Sequence, residues 1–79
     1  MKTVEMKRNF KTKAGFSRIV MIGPNEFGKV KIKSSLCYPA YQEGKFVEYV
    51  QNVWEETRDG ANKEYLKLKK QGYTATIIE

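Results

Sequence analysis

Three segments near the start of the chain have strand-like patterns, and in the first and last of them apolar and polar side chains alternate with the period of a β-strand that has one buried face. The segments are Thr3 to Lys11, Phe16 to Ile22 and Lys29 to Lys33. The middle segment is apolar on both faces, as in a central strand. Lys13-Ala14-Gly15 and Gly23-Pro24-Asn25 supply turn residues between the segments. The pattern therefore predicts three successive strands in a meander.

The second half of the chain changes period. Leu36 to Gly44 is expected to be irregular, because a proline within it interrupts a sheet. From Lys45 onward the apolar residues recur at helical spacing (46, 47, 50, 53, 54 and 57), which predicts a helix. Ala61 to Gln71 also suits a helix, and Gly60 leaves open whether it is separate from the first. Tyr73 to Ile78 alternates again and predicts a strand that returns to the sheet.

This order, β-β-β-α-(α)-β, predicts an α+β fold with an antiparallel or mixed sheet and one or two helices packed on one face. The 79 residues are expected to form a single small domain, since they contain no internal repeat and no interdomain linker. The other face of the sheet is expected to be open to solvent or to a partner. A binding surface would lie on that open face.

The composition argues against several classes of chemistry. The chain has no histidine and a single cysteine, Cys37, so it lacks the usual general base at neutral pH, a Cys/His zinc site and an intramolecular disulfide. Gly23 to Gly28 lacks the Lys-Ser/Thr continuation of a phosphate-binding loop. We therefore expect a protein that is not an enzyme and that uses no metal or cofactor. The short apolar runs and the cysteine content favour a cytoplasmic protein with no membrane span.

Positive charge is concentrated in the first part of the chain. Residues 1–35 carry nine Lys or Arg against two Glu, a net charge of +7, whereas residues 36–79 carry six cations against seven acids, a net charge of −1. Clustered cations on one surface bind polyanions, because they displace counterions from phosphates. Alternation places Lys29, Lys31 and Lys33 on one face of their strand, and Lys7 and Lys11 on one face of theirs. These lysines are expected to merge into a single basic surface, with the acidic helix after Lys45 on the opposite side.

The basic surface predicts binding of nucleic acid, with RNA favoured over DNA because aromatic side chains stack on unpaired bases. Aromatic residues in or beside the predicted loops are Phe16, Phe27, Tyr38 and Tyr41, of which Phe27 and Tyr41 are the predicted stacking residues. The predicted contacts to the nucleic acid are Lys7, Arg8, Lys11, Lys13, Arg18, Lys29, Lys31, Lys33, Phe27 and Tyr41. The lysines also have a purely structural interpretation, because edge strands commonly carry lysine that discourages aggregation.

With its Lys29-Val30-Lys31-Ile32-Lys33 run, the chain resembles the small accessory proteins of T4-like bacteriophages, many of which antagonise host defence. Among those proteins is a small basic RNA-binding antitoxin that neutralises an endoribonuclease toxin. The resemblance implies an antitoxin or counter-defence factor that acts in the host cytoplasm.

Two other kinds of function fit the same sequence. A protein inhibitor would use the basic face to cover an acidic or nucleic-acid-binding site on a host enzyme. A structural subunit would self-associate, and a homodimer is expected because so small a domain gains from removing further apolar surface from water. No motif decides between these partners, so RNA, DNA and an acidic protein surface are alternatives at this point.

Overall fold

A computed structural model describes residues 2–42 and 44–78, and Met1, Glu43 and Glu79 lie outside the described residues. Within these ranges, five strands form one antiparallel sheet with the spatial order β4-β3-β2-β1-β5, and one helix packs on it. The elements are β1 (Lys2–Asn9), β2 (Phe16–Gly23), β3 (Lys29–Pro39), β4 (Phe46–Thr57), α1 (Arg58–Lys70) and β5 (Thr74–Ile77). The predicted α+β class is confirmed.

Strands β1 to β3 form the predicted meander. Met6 pairs with Ile19, and Met21 pairs with Ile32, so apolar side chains of the three strands meet on one face. Gly15 closes the first hairpin at a φ of 114°, and a Cβ at this position would collide with the backbone carbonyl oxygen of Cys37. The hairpin therefore approaches β3 closely because residue 15 is glycine.

The core lies between this face of the sheet and α1. Met6 and Ile32 are fully buried there, against Ala61 and Leu68 of the helix and Tyr73 beyond it. The other buried residues of this core cluster are Ile19, Met21 and Val30. Four partly buried side chains pack against the cluster, namely Val4, Trp54, Tyr65 and Ala75. Along β3 the buried cluster extends from residue 30 to residue 32 and does not continue toward residue 39. We call this part of the helix-side face the covered end.

Residues 46–57, which the spacing predicts to be helical, form strand β4 instead. The strand pairs antiparallel with β3 along its whole length, from Lys29 opposite Thr57 to Pro39 opposite Phe46. The helix prediction from Lys45 was therefore wrong. The prediction of an irregular segment from Leu36 to Gly44 was wrong for residues 36–39, which continue β3 because Pro39 is tolerated as its last residue. Residues 40–42 and 44–45 do form an irregular connection to β4.

A β-bulge explains the helical appearance of β4. Ser34 pairs with Asn52 and Ser35 pairs with Val50, so Gln51 is an extra residue opposite β3. The extra residue shifts the alternation by one position, and Val50 and Val53 consequently lie on the same face although they are three residues apart. A spacing of three is typical of a helix, but the β-branched and aromatic content of the segment is typical of a strand.

The helix that was predicted for residues 61–71 and the strand that was predicted after it are confirmed. The hydroxyl oxygen of Thr57 accepts a hydrogen bond from the Gly60 amide at 3.1 Å, which caps the first turn of α1. Gly60 therefore lies inside the first turn and does not end a helix. Gly72 follows the helix at a φ of 94°, and β5 then pairs with β1 at the edge of the sheet.

Candidate nucleic-acid interface

The sheet face opposite α1, which we call the open face, carries several of the predicted cations. Lys29, Lys31 and Lys33 alternate along β3 on the side opposite Val30 and Ile32, as predicted. Strand β3 lies between β2 and β4, so these lysines do not protect a sheet edge. The interpretation that they discourage edge-to-edge aggregation therefore does not apply to β3.

Register places further cations on the open face. Lys7 of β1 is opposite Arg18 of β2, which in turn is opposite Ser35 of β3. Arg18, Lys31 and Lys33 line a depression of about 270 Å³ together with Val20 and Ile22. The structure therefore brings part of the predicted basic surface together.

Carboxylates neutralise much of this charge at the centre of the open face. Arg18 donates from Nε to Glu5 at 2.5 Å and from Nη1 to Glu48 at 2.8 Å. Lys33 Nζ lies 3.5 Å from Glu48 Oε1, and Lys7 Nζ lies 3.4 Å from Glu5 Oε1. The prediction of an acidic helix on the opposite side was wrong, because β4 places Glu48 among the cations. Three of the predicted phosphate contacts are therefore already paired with acids.

Hydrogen bonds and charges in this network shift the ionisation of its members. The Ser35 hydroxyl donates to Glu48 at 2.7 Å and, together with Arg18, lowers the pKa of Glu48 to about 2. Burial alone would raise the pKa of Glu5, but the hydrogen bond and charge of Arg18 outweigh it and hold that pKa below its ordinary value. Burial likewise opposes the charge of Arg18, whose pKa is nevertheless raised by the two carboxylates. The charged network ties four strands together and is a structural feature of the face.

Arg8 lies apart from the other predicted cations. Alternation turns it to the helix side of β1, where Nη1 donates to the carbonyl oxygen of Gln71 at 3.0 Å. Its guanidinium carbon also lies 4.9 Å from the ring centre of Tyr73. Arg8 therefore holds the end of α1 against the sheet and does not belong to the open face.

Four of the predicted site residues lie in connections, and Tyr41 of the β3–β4 connection is described below. Lys11 and Lys13 belong to the β1–β2 connection, because β1 ends at Asn9 and Lys11 does not share the strand face of Lys7. Phe27 lies in the β2–β3 connection at the opposite end of the sheet, with 77% of its surface exposed. No common surface therefore joins Phe27 to Lys11 and Lys13.

Aromatic rings gather at the end of the helix-side face beyond the buried cluster, which we call the aromatic end. The ring centres of Phe10 and Tyr38 are 5.4 Å apart, and those of Tyr38 and Tyr49 are 5.8 Å apart. Lys13 Nζ lies 5.0 Å from the ring centre of Phe10 and 5.1 Å from that of Tyr38. The same nitrogen donates to the Tyr38 hydroxyl at 3.5 Å. A lysine is thus held against two rings at an exposed end of the fold.

Tyr41 extends this group into a cleft of about 270 Å³, the aromatic cleft. Its lining residues are Tyr38, Pro39, Ala40, Tyr41, Val47 and Tyr49. Tyr41 is fully exposed and Tyr49 is mostly exposed. The cleft therefore presents flat rings to solvent with Lys13 beside Tyr38, the combination on which unpaired bases stack.

A second aromatic pair occupies the open face at the same end of the sheet. The rings of Phe16 and Phe46 meet edge to face with centres 5.2 Å apart, and Lys7 Nζ lies 5.0 Å from the centre of the Phe16 ring. Both faces of this end therefore carry exposed aromatic surface beside a lysine.

Sequence reasoning found only part of the aromatic cleft. It named Tyr38, Tyr41 and Lys13, but it gave Phe10 no part in the site and placed Tyr49 on a helix. The contact of Phe10 with Tyr38 joins residues 28 positions apart, which no local pattern reveals. The β-branched and aromatic composition around Tyr49 was the available signal that it belongs to a strand.

Three further features of the described residues concern metal binding, membrane crossing and the reactivity of the cysteine. Among residues 2–42 and 44–78, no group of three His, Cys, Asp or Glu side chains is placed to hold a metal ion. The helix in those ranges is too short and too polar to cross a membrane. Cys37 is buried, and burial together with Glu48 raises the pKa of its thiol, which keeps it protonated at neutral pH.

Comparison with known proteins does not assign the chain to a family. No protein-family model, curated protein or solved structure matches it.

Proposed function

We propose that this protein binds single-stranded nucleic acid, RNA in preference to DNA, and that it does so without catalysing a reaction. The observation that carries the proposal is the aromatic end, where the exposed rings of Tyr41 and Tyr49 line the aromatic cleft and Lys13 lies against Tyr38. Proteins that bind single strands combine aromatic stacking surfaces with cations that follow the backbone. RNA is favoured because its loops and ends offer unpaired bases.

The bases would stack on the exposed rings of Tyr41 and Tyr49, which line the cleft on two sides. The phosphates would meet Lys11 and Lys13 of one connection and Lys45 of the other, since both connections lie at this end of the sheet. Each stacked base contributes about 1–3 kcal/mol, so one or two of them decide whether single strands are preferred over duplex.

This assignment moves the binding site away from the centre of the open face. There Arg18 and Lys33 are paired with carboxylates, whereas the chain as a whole carries a net charge of +6. The unbalanced cations attract a polyanion at long range, and the aromatic cleft retains it. An RNA-binding antitoxin or counter-defence factor in the host cytoplasm, as the resemblance implies, would use the cleft in this way.

Fluorescence anisotropy with a labelled single-stranded RNA of about ten nucleotides, a length within the usual site size, tests the proposal. Affinity should fall steeply as salt rises from about 50 to about 200 mM, and a duplex should bind more weakly. Absence of binding at the lowest salt concentration would contradict the proposal, and capture of an acidic protein instead would favour the inhibitor function.

Two exposed aromatics provide a matched pair of variants. Tyr41→Ala should weaken binding by about fivefold or more, since a single stacked base is worth at least about 1 kcal/mol. Phe27→Ala removes an exposed ring at the opposite end of the sheet and should leave the affinity unchanged. Equal losses in the two variants would argue against the cleft as the site.

A further inference from the structure

Strand β4 forms an outer edge of the sheet, and its 12 residues include no lysine, arginine or proline. Its exposed apolar residues are Phe46, Val47, Tyr49, Val50 and Val53, each between 42% and 57% exposed. Edge strands are often protected by lysine or proline, which discourage pairing with another chain. The only charged residues of β4 are glutamates, and Glu48 is already paired with Arg18 and Lys33 on the open face, so the long edge is open to strand addition by a partner that brings cations.

We propose that β4 pairs with β4 of a second copy of the chain, antiparallel and about a two-fold axis. Such pairing gives hydrogen-bond partners to the unpaired backbone N–H and C=O groups on the outer edge of each β4. It also joins two five-stranded sheets into one. A two-fold axis also closes the assembly at a dimer, because each copy uses the same edge. The proposal goes beyond nucleic-acid binding and does not depend on it.

The bulge restricts the register of this pairing. In an antiparallel pair, directly opposite residues must lie on the same face of the sheet. Before Gln51 the even-numbered residues of β4 lie on the open face, and after Gln51 the odd-numbered residues do. A residue of the first half therefore shares a face with a residue of the partner's second half only when their two numbers have an odd sum. An odd sum places the two-fold axis between two consecutive residues near the bulge.

Charge selects one register among those that the bulge permits. Pairing residue 46 with residue 57 would place Glu48 opposite Glu55 of the other copy, which is unfavourable. A shift by two residues, with 46 opposite 55, places Glu48 opposite Val53 and puts Lys45 opposite Glu56. The two-fold axis repeats the Lys45–Glu56 pair, so the dimer contains two such ion pairs. The charged residues within β4 are all acidic, and the lysine that precedes the strand supplies the complementary charge.

The same register gives apolar side chains new neighbours. Val47 lies opposite Trp54 of the other copy, and Val50 lies beside the axis next to its own equivalent. Strand addition takes place in the plane of the sheet, so the aromatic cleft and the open face both stay accessible.

Sedimentation equilibrium of the purified chain tests the dimer. At about 10–100 μM protein, a range typical for modest self-association, the mass should approach twice the 9.2 kDa of the monomer. Lys45→Glu and Glu56→Lys should each raise the dissociation constant about tenfold or more, because each opposes like charges twice. The combined Lys45→Glu, Glu56→Lys variant should return it to within about threefold of the original, since both ion pairs are restored in reverse.

Two further variants separate the two edges of the sheet. Val50→Lys places two like charges beside the axis and should give a monomer, whereas Ile77→Lys on the other edge strand, β5, should leave the dimer intact. Far-ultraviolet circular dichroism confirms that each variant is folded. A mass of one chain at every concentration would overturn the proposal, as would a dimer that tolerates Val50→Lys or is lost in Ile77→Lys.

Discussion

The covered end and the aromatic end of the helix-side face are built from the same strands but differ in what packs on them. At the covered end, Met6 and Ile32 are fully buried beneath α1. At the aromatic end, Tyr41 and Tyr49 face solvent around a cleft. One pattern of alternation therefore stabilises the fold where a helix covers it and leaves an aromatic surface exposed where no helix does.

The largest expected effect belongs to the covered end. Ile32→Ala should lower the free energy of unfolding by about 2–5 kcal/mol, because it leaves a cavity in the core. Urea denaturation followed by fluorescence measures this directly, since Trp54 is the only tryptophan and packs against the core. Val53→Ala, at a half-exposed site on the open face, is the control and should cost less than about 1 kcal/mol. Equal costs would remove the distinction between buried and exposed positions.

The next largest effect belongs to the aromatic end and concerns binding. Tyr49→Ala should reduce the affinity for single-stranded RNA by about 1–3 kcal/mol through the loss of one stacked base. Tyr49→Phe keeps the ring and should bind nearly as well as the original protein. Anisotropy titrations compare the two variants, and a loss of affinity that is equal in both would show that the hydroxyl, rather than the ring, is what matters.

Much of this comparison was predictable from the sequence, and the exceptions have physical causes. Alternation revealed β1 and β3, an apolar run revealed β2, and helical spacing revealed α1. Gln51 concealed β4, because one extra residue in a strand produces a spacing of three.

Two of the errors about the site follow from the misassignment of β4. With β4 interpreted as a helix, Glu48 could not be placed beside Arg18, nor Tyr49 beside Tyr38. The open face consequently appeared more basic than it is, and the aromatic cleft was only half visible. Contacts between distant segments depend on register, and register depends on the bulge.

A smaller effect tests the ion network of the open face. Glu48→Gln should lower the free energy of unfolding by about 1 kcal/mol at neutral pH, allowing for solvent screening of the pair. The pKa of Glu48 is about 2 in the folded chain against an ordinary value of 4.5, so its contribution is present above about 4.5 and is lost as pH falls toward 2.

Urea denaturation at several pH values measures this contribution. Between pH 4.5 and 2, Glu48→Gln should show a shallower loss of stability than the original protein. The pKa of Glu5 is also lowered, so Glu5 still loses a stabilising contribution as pH falls in the variant. The stability curve of Glu48→Gln should therefore flatten only in part. Identical curves for the two proteins would contradict the assigned role of Glu48.

The smallest effect distinguishes the open face from the aromatic cleft as the source of phosphate contacts. Lys13→Gln should reduce the slope of log affinity against log salt by about 0.7, the value for one contact to a single strand. Lys31→Gln should leave slope and affinity nearly unchanged, because Lys31 lies across from Glu55 on the open face. The opposite ranking would return the site to the lysines of β3.

A map of amide chemical-shift changes in the ¹⁵N-labelled protein, recorded as single-stranded RNA is added, tests whether the aromatic cleft is the binding site. We predict that the largest changes fall on Phe10 to Lys13, on Tyr38 to Tyr41 and on Tyr49, the residues that form and flank the aromatic cleft. Changes confined to Lys31 and Lys33 or to α1, with the cleft unaffected, would contradict it.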